Sequence, residues 1–139
     1  MQRIGVFGAG SIGMYLGGCL QAAGAVVVYV GRAAMAKTLQ AQGLRLTDYL
    51  GREQYLEAAS LVFSTSAAAL ADCDVVLVTV KSAATAEAAV ELAAHLRPGA
   101  LVISFQNGVR NADVLRAAMP TQTVLAGMVP FNVLNCGDG

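Results

Sequence analysis

Gly8-Ala9-Gly10-Ser11-Ile12-Gly13 sets three glycines at the spacing G-x-G-x-x-G, straight after an apolar run and ahead of an apolar-faced segment. The chemistry such a turn offers is the holding of a pyrophosphate by backbone groups. Gly8 permits the tight turn, Gly10 lets a phosphate approach the backbone without meeting a Cβ, and Gly13 lets a helix lie close on a sheet. N–H groups of the helix's first turn then face the phosphates, and the helix dipole favours negative charge there. As a bare string the motif is as often a plain glycine-rich turn. The order strand, glycines, helix, second strand is what makes it a dinucleotide site.

The end of the second strand selects the dinucleotide. An acidic residue about 20 positions on would accept hydrogen bonds from the adenosine ribose and repel a 2′-phosphate. Arg32 stands there instead, nineteen positions after Gly13 and with no carboxylate near it in sequence. A guanidinium matches a phosphate in geometry and charge, so NADP(H) is favoured over NAD(H). Ligands of a doubly wound sheet bind beyond the carboxyl ends of its strands. Two further polar sites follow such ends: Lys81 after VVLVTV, and Gln106-Asn107-Gly108 after LVISF. An ammonium closing an apolar strand needs an oxygen partner, or else snorkels to water. The Asn107 amide can bridge hydroxyls as donor and acceptor, or simply serve a turn.

The elements that must position these residues follow from pattern. Residues 3–7 read as a strand, 11–23 as a helix stopped by Gly24, 25–30 as a buried strand and 33–42 as a helix closed by Gly43. Between 44 and 65 the helical period fails and strands are expected, with a hairpin among them. Residues 66–71 suggest a short helical turn, and 75–80 the clearest strand. Ser82 is expected to cap a helix running to about Arg97, before Pro98-Gly99. Residues 100–105, 111–119 and 124–128 then read as strand, helix and strand. This alternation predicts an α/β fold of Rossmann type: a doubly wound, mainly parallel sheet with helices on both faces.

Composition narrows the partners. One domain, 1–139, is expected, since 56% apolar and 13% charged residues exclude a disordered chain. Nine basic residues balance nine acidic ones, Trp is absent and aromatics are 6%, so neither bulk charge nor base stacking recommends nucleic acid. Cys19, Cys73 and Cys136 form no metal-like spacing with His95, so no metal site is expected and a reducing, cytoplasmic setting fits. His95 near a helix end reads as structural, Asp72 and Asp74 as lying at the edge opposite the cofactor, and Ser11, Thr79 and Ser104 as lacking the histidine of a hydrolytic triad. No charge occurs between Arg3 and Arg32, which raises a membrane span or a lipoprotein-like site at Cys19. The glycines within that stretch argue instead for strand, turn, helix and strand, with no membrane partner.

GAGSIG near the start, GR after the second strand, VTVKS and SFQNGV together resemble the amino-terminal domain of the 2-dehydropantoate 2-reductase (ketopantoate reductase) family. The resemblance runs through nearly the whole chain. It implies that NADPH reduces the C2 ketone of ketopantoate to pantoate, on the route to pantothenate and coenzyme A. It also implies that 8–13 hold the pyrophosphate, Arg32 the 2′-phosphate, and that Lys81 and Asn107 touch cofactor and substrate. The 127–133 stretch looks like the family's segment on the nicotinamide side, although MVPFNV departs from the Thr/His-rich version. Family members continue into a helical carboxy-terminal domain that supplies the general acid, so cofactor binding without useful turnover is expected of these 139 residues. Alternatives are a stand-alone NADP(H)-binding or sensing module, and the cofactor domain of another 2-oxoacid, hydroxyacyl or sugar-acid dehydrogenase. Homo-oligomerisation stays open.

Overall fold

Apolar runs too continuous to alternate belong to strands buried on both faces, and the computed structural model, which describes residues 3–8, 11–47, 53–80, 82–105 and 110–127, pairs them in that way. In chain order the elements are β1 (Arg3–Phe7), α1 (Ser11–Ala22), β2 (Val26–Val30), α2 (Ala33–Gln42), β3 (Leu44–Thr47), β4 (Glu53–Leu56) and β5 (Val62–Ser64), then β6 (Val75–Val78), α3 (Thr85–His95), β7 (Leu101–Ser104), α4 (Arg110–Ala118) and β8 (Thr123–Ala126). Six strands form one parallel sheet in the order β5-β2-β1-β6-β7-β8. Counted along the chain within that sheet, this is the 3-2-1-4-5-6 order of a Rossmann fold.

Side chains of successive strand residues go to opposite faces, and two cores result. Val6, Val27, Tyr29 and Leu77 pack with Met14 of α1, Leu39 of α2 and Leu44 and Leu46 of β3 on one face. Phe7, Val28, Val30, Val76, Val78 and Val102 pack with Leu92 of α3 and Leu115 of α4 on the other. Both halves of VVVYV are thereby apolar because both faces are covered. The uncharged stretch after Arg3 folds as β1, α1 and β2, and among the described residues no helix is long and apolar enough to cross a membrane.

The hairpin expected between 44 and 65 is β3–β4, with Leu44 opposite Leu56 and Thr47 opposite Glu53. The third strand of that stretch, β5, leaves it and pairs in parallel with β2. Several boundaries differ from expectation. Ser82 opens a 3-10 turn, Ser82–Ala84, and α3 begins only at Thr85 with Ala84 at its N-cap and no side-chain cap bond. The same helix ends at His95 rather than near Arg97, because Leu96 turns extended. The strand expected over 75–80 stops at Val78; Thr79 and Val80 turn instead against the end of β1. The last strand is Thr123–Ala126, starting one residue earlier than expected, and Gly127 already lies outside it.

Candidate dinucleotide site

The parallel sheet sets the carboxyl ends of β2, β1, β6 and β7 side by side. Arg32 therefore follows the strand adjacent to the one that ends in the glycine turn. Gly8 has φ +96, a conformation L side chains rarely adopt. A Cβ there would lie 2.5 Å from Val80 Cγ1 and 2.7 Å from the Val80 backbone nitrogen. Two hydrogen bonds pin its peptide groups. The Gly8 N–H donates to the Val30 carbonyl of β2 at 2.9 Å, and its carbonyl accepts from the Thr79 hydroxyl at 2.7 Å, with the Phe7 carbonyl at 3.3 Å as that hydroxyl's alternative acceptor.

Gly13 lies in the first turns of α1, buried against the sheet. A Cβ on it would meet Thr79 Oγ1 at 2.6 Å, the Gly8 carbonyl oxygen at 2.8 Å and Val6 Cγ1 at 2.9 Å. The close helix–sheet approach expected of this third glycine is thus present. Ile12 is half-buried beside it, and Ser11 is the opening residue of the helix. Ala9 and Gly10 lie outside the described residues, as do Lys81 and Asn107 and positions 128–133.

Arg32 is exposed and takes the N-cap position of α2 with φ −76 and ψ 152. Its carbonyl accepts the Met35 and Ala36 N–H groups, at 3.1 and 3.2 Å. Among the described residues no carboxylate pairs with its guanidinium. Neither α1 nor α2 carries an acidic residue in its first turn. Two helix amino termini therefore lie at the same edge of the sheet, with Arg32 opening the second and no acidic side chain in either first turn, which favours an anion there.

Two polar features had no signal in the sequence beyond residue type. Thr79, noted there only as lacking a triad histidine, braces the glycine turn. Thr85 and Asn111 form a buried hydrogen bond, Oγ1 donating to Oδ1 at 2.9 Å, which ties the first turn of α3 to that of α4. A threonine beside a strand end and an asparagine at a helix start are common enough that only the tertiary pairing marks them. Asp72 and Asp74 lie at the opposite edge of the sheet, where the Arg3 N–H donates to the Asp74 carboxylate at 3.0 Å. Cys73 between them is fully buried, and burial pushes its thiol up to about 11, so it is not a reactive thiolate. Among the described residues no group of three His, Cys, Asp or Glu side chains gathers to hold a metal.

The described part of the site fits a dinucleotide: a glycine position that a Cβ would fill, a helix amino terminus following it, and, just past the neighbouring strand, an arginine with no carboxylate partner among the described residues. Comparison with known proteins agrees. The family model described as ketopantoate reductase PanE/ApbA matches residues 4–139. A 2-dehydropantoate 2-reductase of Halobacterium salinarum is 36% identical over 127 residues, 91% of this chain and 41% of that protein. One of Archaeoglobus fulgidus is 34% identical over 131 residues, 94% of this chain and 40% of that protein. The crystal structure of a PanE/ApbA family ketopantoate reductase from Ralstonia eutropha superimposes with a TM-score of 0.81 at 36% identity, covering 90% of this chain and 40% of that one. The chain thus spans about two fifths of the length of these relatives. A reductase family built on a Rossmann sheet implies a nicotinamide cofactor. Fold, glycine turn and a match across nearly every residue converge on one assignment: the chain belongs to the ketopantoate reductase family.

Proposed function

We propose that this chain is the NADPH-binding part of a 2-dehydropantoate 2-reductase, which reduces ketopantoate, a small 2-oxoacid, to pantoate. One observation carries the choice of NADPH: Arg32 stands exposed at the end of β2, beside the glycine turn, with no carboxylate paired to it among the described residues. The residues 8–13 would hold the pyrophosphate through backbone N–H groups, and Arg32 would clasp the 2′-phosphate with paired donors. When bound, NADPH supplies the hydride. Lys81 and Asn107, which follow β6 and β7 in the chain, are proposed to orient nicotinamide ribose and substrate, Lys81 by its charge and Asn107 by its amide donor and acceptor. The family resemblance assigns the general acid to a helical carboxy-terminal domain, so we expect residues 1–139 to take up NADPH and the reduction of ketopantoate to need that domain as well. Loss of a proton donor alone costs about 10²- to 10⁴-fold in rate. We place the protein in the cytoplasm on the same reading.

Calorimetric titration with NADPH and NADH tests the proposal. NADPH should bind more tightly than NADH, and Arg32→Ala should weaken NADPH by about ten- to a hundredfold while leaving NADH nearly unchanged, the loss expected for hydrogen bonds to a charged group. Equal affinity of the parent chain for both nucleotides would remove Arg32 from the reading.

A further inference from the structure

The glycine turn is braced from a third strand. Gly8 at φ +96 has its N–H committed to Val30 of β2 and its carbonyl committed to the Thr79 hydroxyl just past β6. The same hydroxyl oxygen would lie only 2.6 Å from a Cβ on Gly13, so it sits between the turn and the base of α1. The Thr79 N–H in turn donates to the Phe7 carbonyl at 2.9 Å, which sets the threonine itself. A carbonyl oxygen aimed at a polyanion repels it, whereas one held in a hydrogen bond toward the sheet does not. Thr79 is half-buried, so water replaces its hydroxyl poorly at this carbonyl.

We propose that Thr79 is a positioning residue for pyrophosphate binding: its hydroxyl turns the Gly8 carbonyl away from the phosphates and locks the glycine turn in its receptive shape. This rests on the dinucleotide reading of the site. It extends that reading to a residue that touches no part of the cofactor, and it separates two halves of the ligand. The pyrophosphate depends on the turn and hence on Thr79; the 2′-phosphate depends on Arg32 and does not.

The test uses the 139-residue chain with two probes, NADPH and 2′-AMP, the second carrying the 2′-phosphate but no pyrophosphate and followed by ligand-observed NMR. Thr79→Val keeps the shape and removes the donor; Thr79→Ser keeps the donor. Thr79→Val is expected to weaken NADPH about tenfold while 2′-AMP binds as to the parent, and Thr79→Ser is expected to restore NADPH affinity. Thr79→Ala is the second donor-less variant should the valine side chain crowd Gly13. Unchanged NADPH affinity in the donor-less variants overturns the inference. So does an equal loss for both probes, a Thr79→Ser variant as weak as Thr79→Val, or a fold that survives only with a hydroxyl at 79, since each makes Thr79 merely structural or idle. A parent chain that binds neither probe overturns the dinucleotide reading itself and this inference with it.

Discussion

At Gly8 two demands combine that only a glycine can meet. Its φ of +96 is unfavourable for any side chain, and the space beyond its Cα is taken by the backbone nitrogen of Val80. A neighbouring side chain could swing aside; a backbone atom two residues past β6 cannot move without dragging the strand end. Gly8→Ala should therefore cost about 2 kcal/mol or more of stability through strain and overpacking. It should also abolish measurable NADPH binding. Urea unfolding and NADPH titration on the same variant check both halves, and a variant of parental stability would show that the turn relaxes freely.

The α1 helix shows the same logic carried along an element. Its glycines at 13, 17 and 18 line the side that faces the sheet and the β3–β4 hairpin, and a Cβ at Gly17 would lie 2.6 Å from Tyr29 Cε1. Helix propensity alone favours Ala over Gly by about 1 kcal/mol. Opposing it, the Tyr29 ring is fully buried and its hydroxyl donates to Gln21 Oε1 at 2.9 Å, so the ring has no room to slide. Overpacking costs about 1 to 3 kcal/mol and should win. Gly17→Ala is expected to lower the urea midpoint and, because α1 opens at the turn proposed to hold the pyrophosphate, to weaken NADPH as well. A raised midpoint would mean that the helix can ride outward from the sheet.

Across the molecule the two edges of the sheet divide the work. The carboxyl edge holds the glycine turn and Arg32; the amino edge holds Arg3, Asp74 and Arg97, which join the starts of β1 and β6 to the chain leaving α3. The Arg3 backbone N–H, followed by the Arg97 guanidinium, holds the Asp74 carboxyl below the ordinary aspartate range. Asp74 lies lower in the folded than in the unfolded chain, so its contribution is fully present above the unfolded value, about 3.9, and is lost as pH falls through the folded one. Being exposed ion pairs, these contacts contribute modestly. Asp74→Asn should flatten the acid side of a stability–pH profile and leave NADPH affinity at pH 7 unchanged. Unfolding midpoints across the acid range, read beside a single neutral titration, test that division; a loss of binding at neutral pH would contradict it.

Much of this organisation is legible along the chain because it rests on local periods. Continuous apolar runs such as VVVYV declare strands covered on both faces, the glycine triplet declares a tight turn feeding a helix, and Arg32 needs only a count from Gly13 to fall at the end of the next strand. Partner choice is different, since it depends on contacts between residues far apart in sequence. Nothing local says that Val62–Ser64 should abandon the hairpin for the edge of the main sheet, that α3 should wait three residues past Ser82, or that the Thr79 hydroxyl should find a carbonyl 71 positions away. Local torsional preference and hydrophobic period are properties of a segment and can be read from it. The bracing of the turn is a property of three strands meeting, and it exists only once packing has brought their ends together.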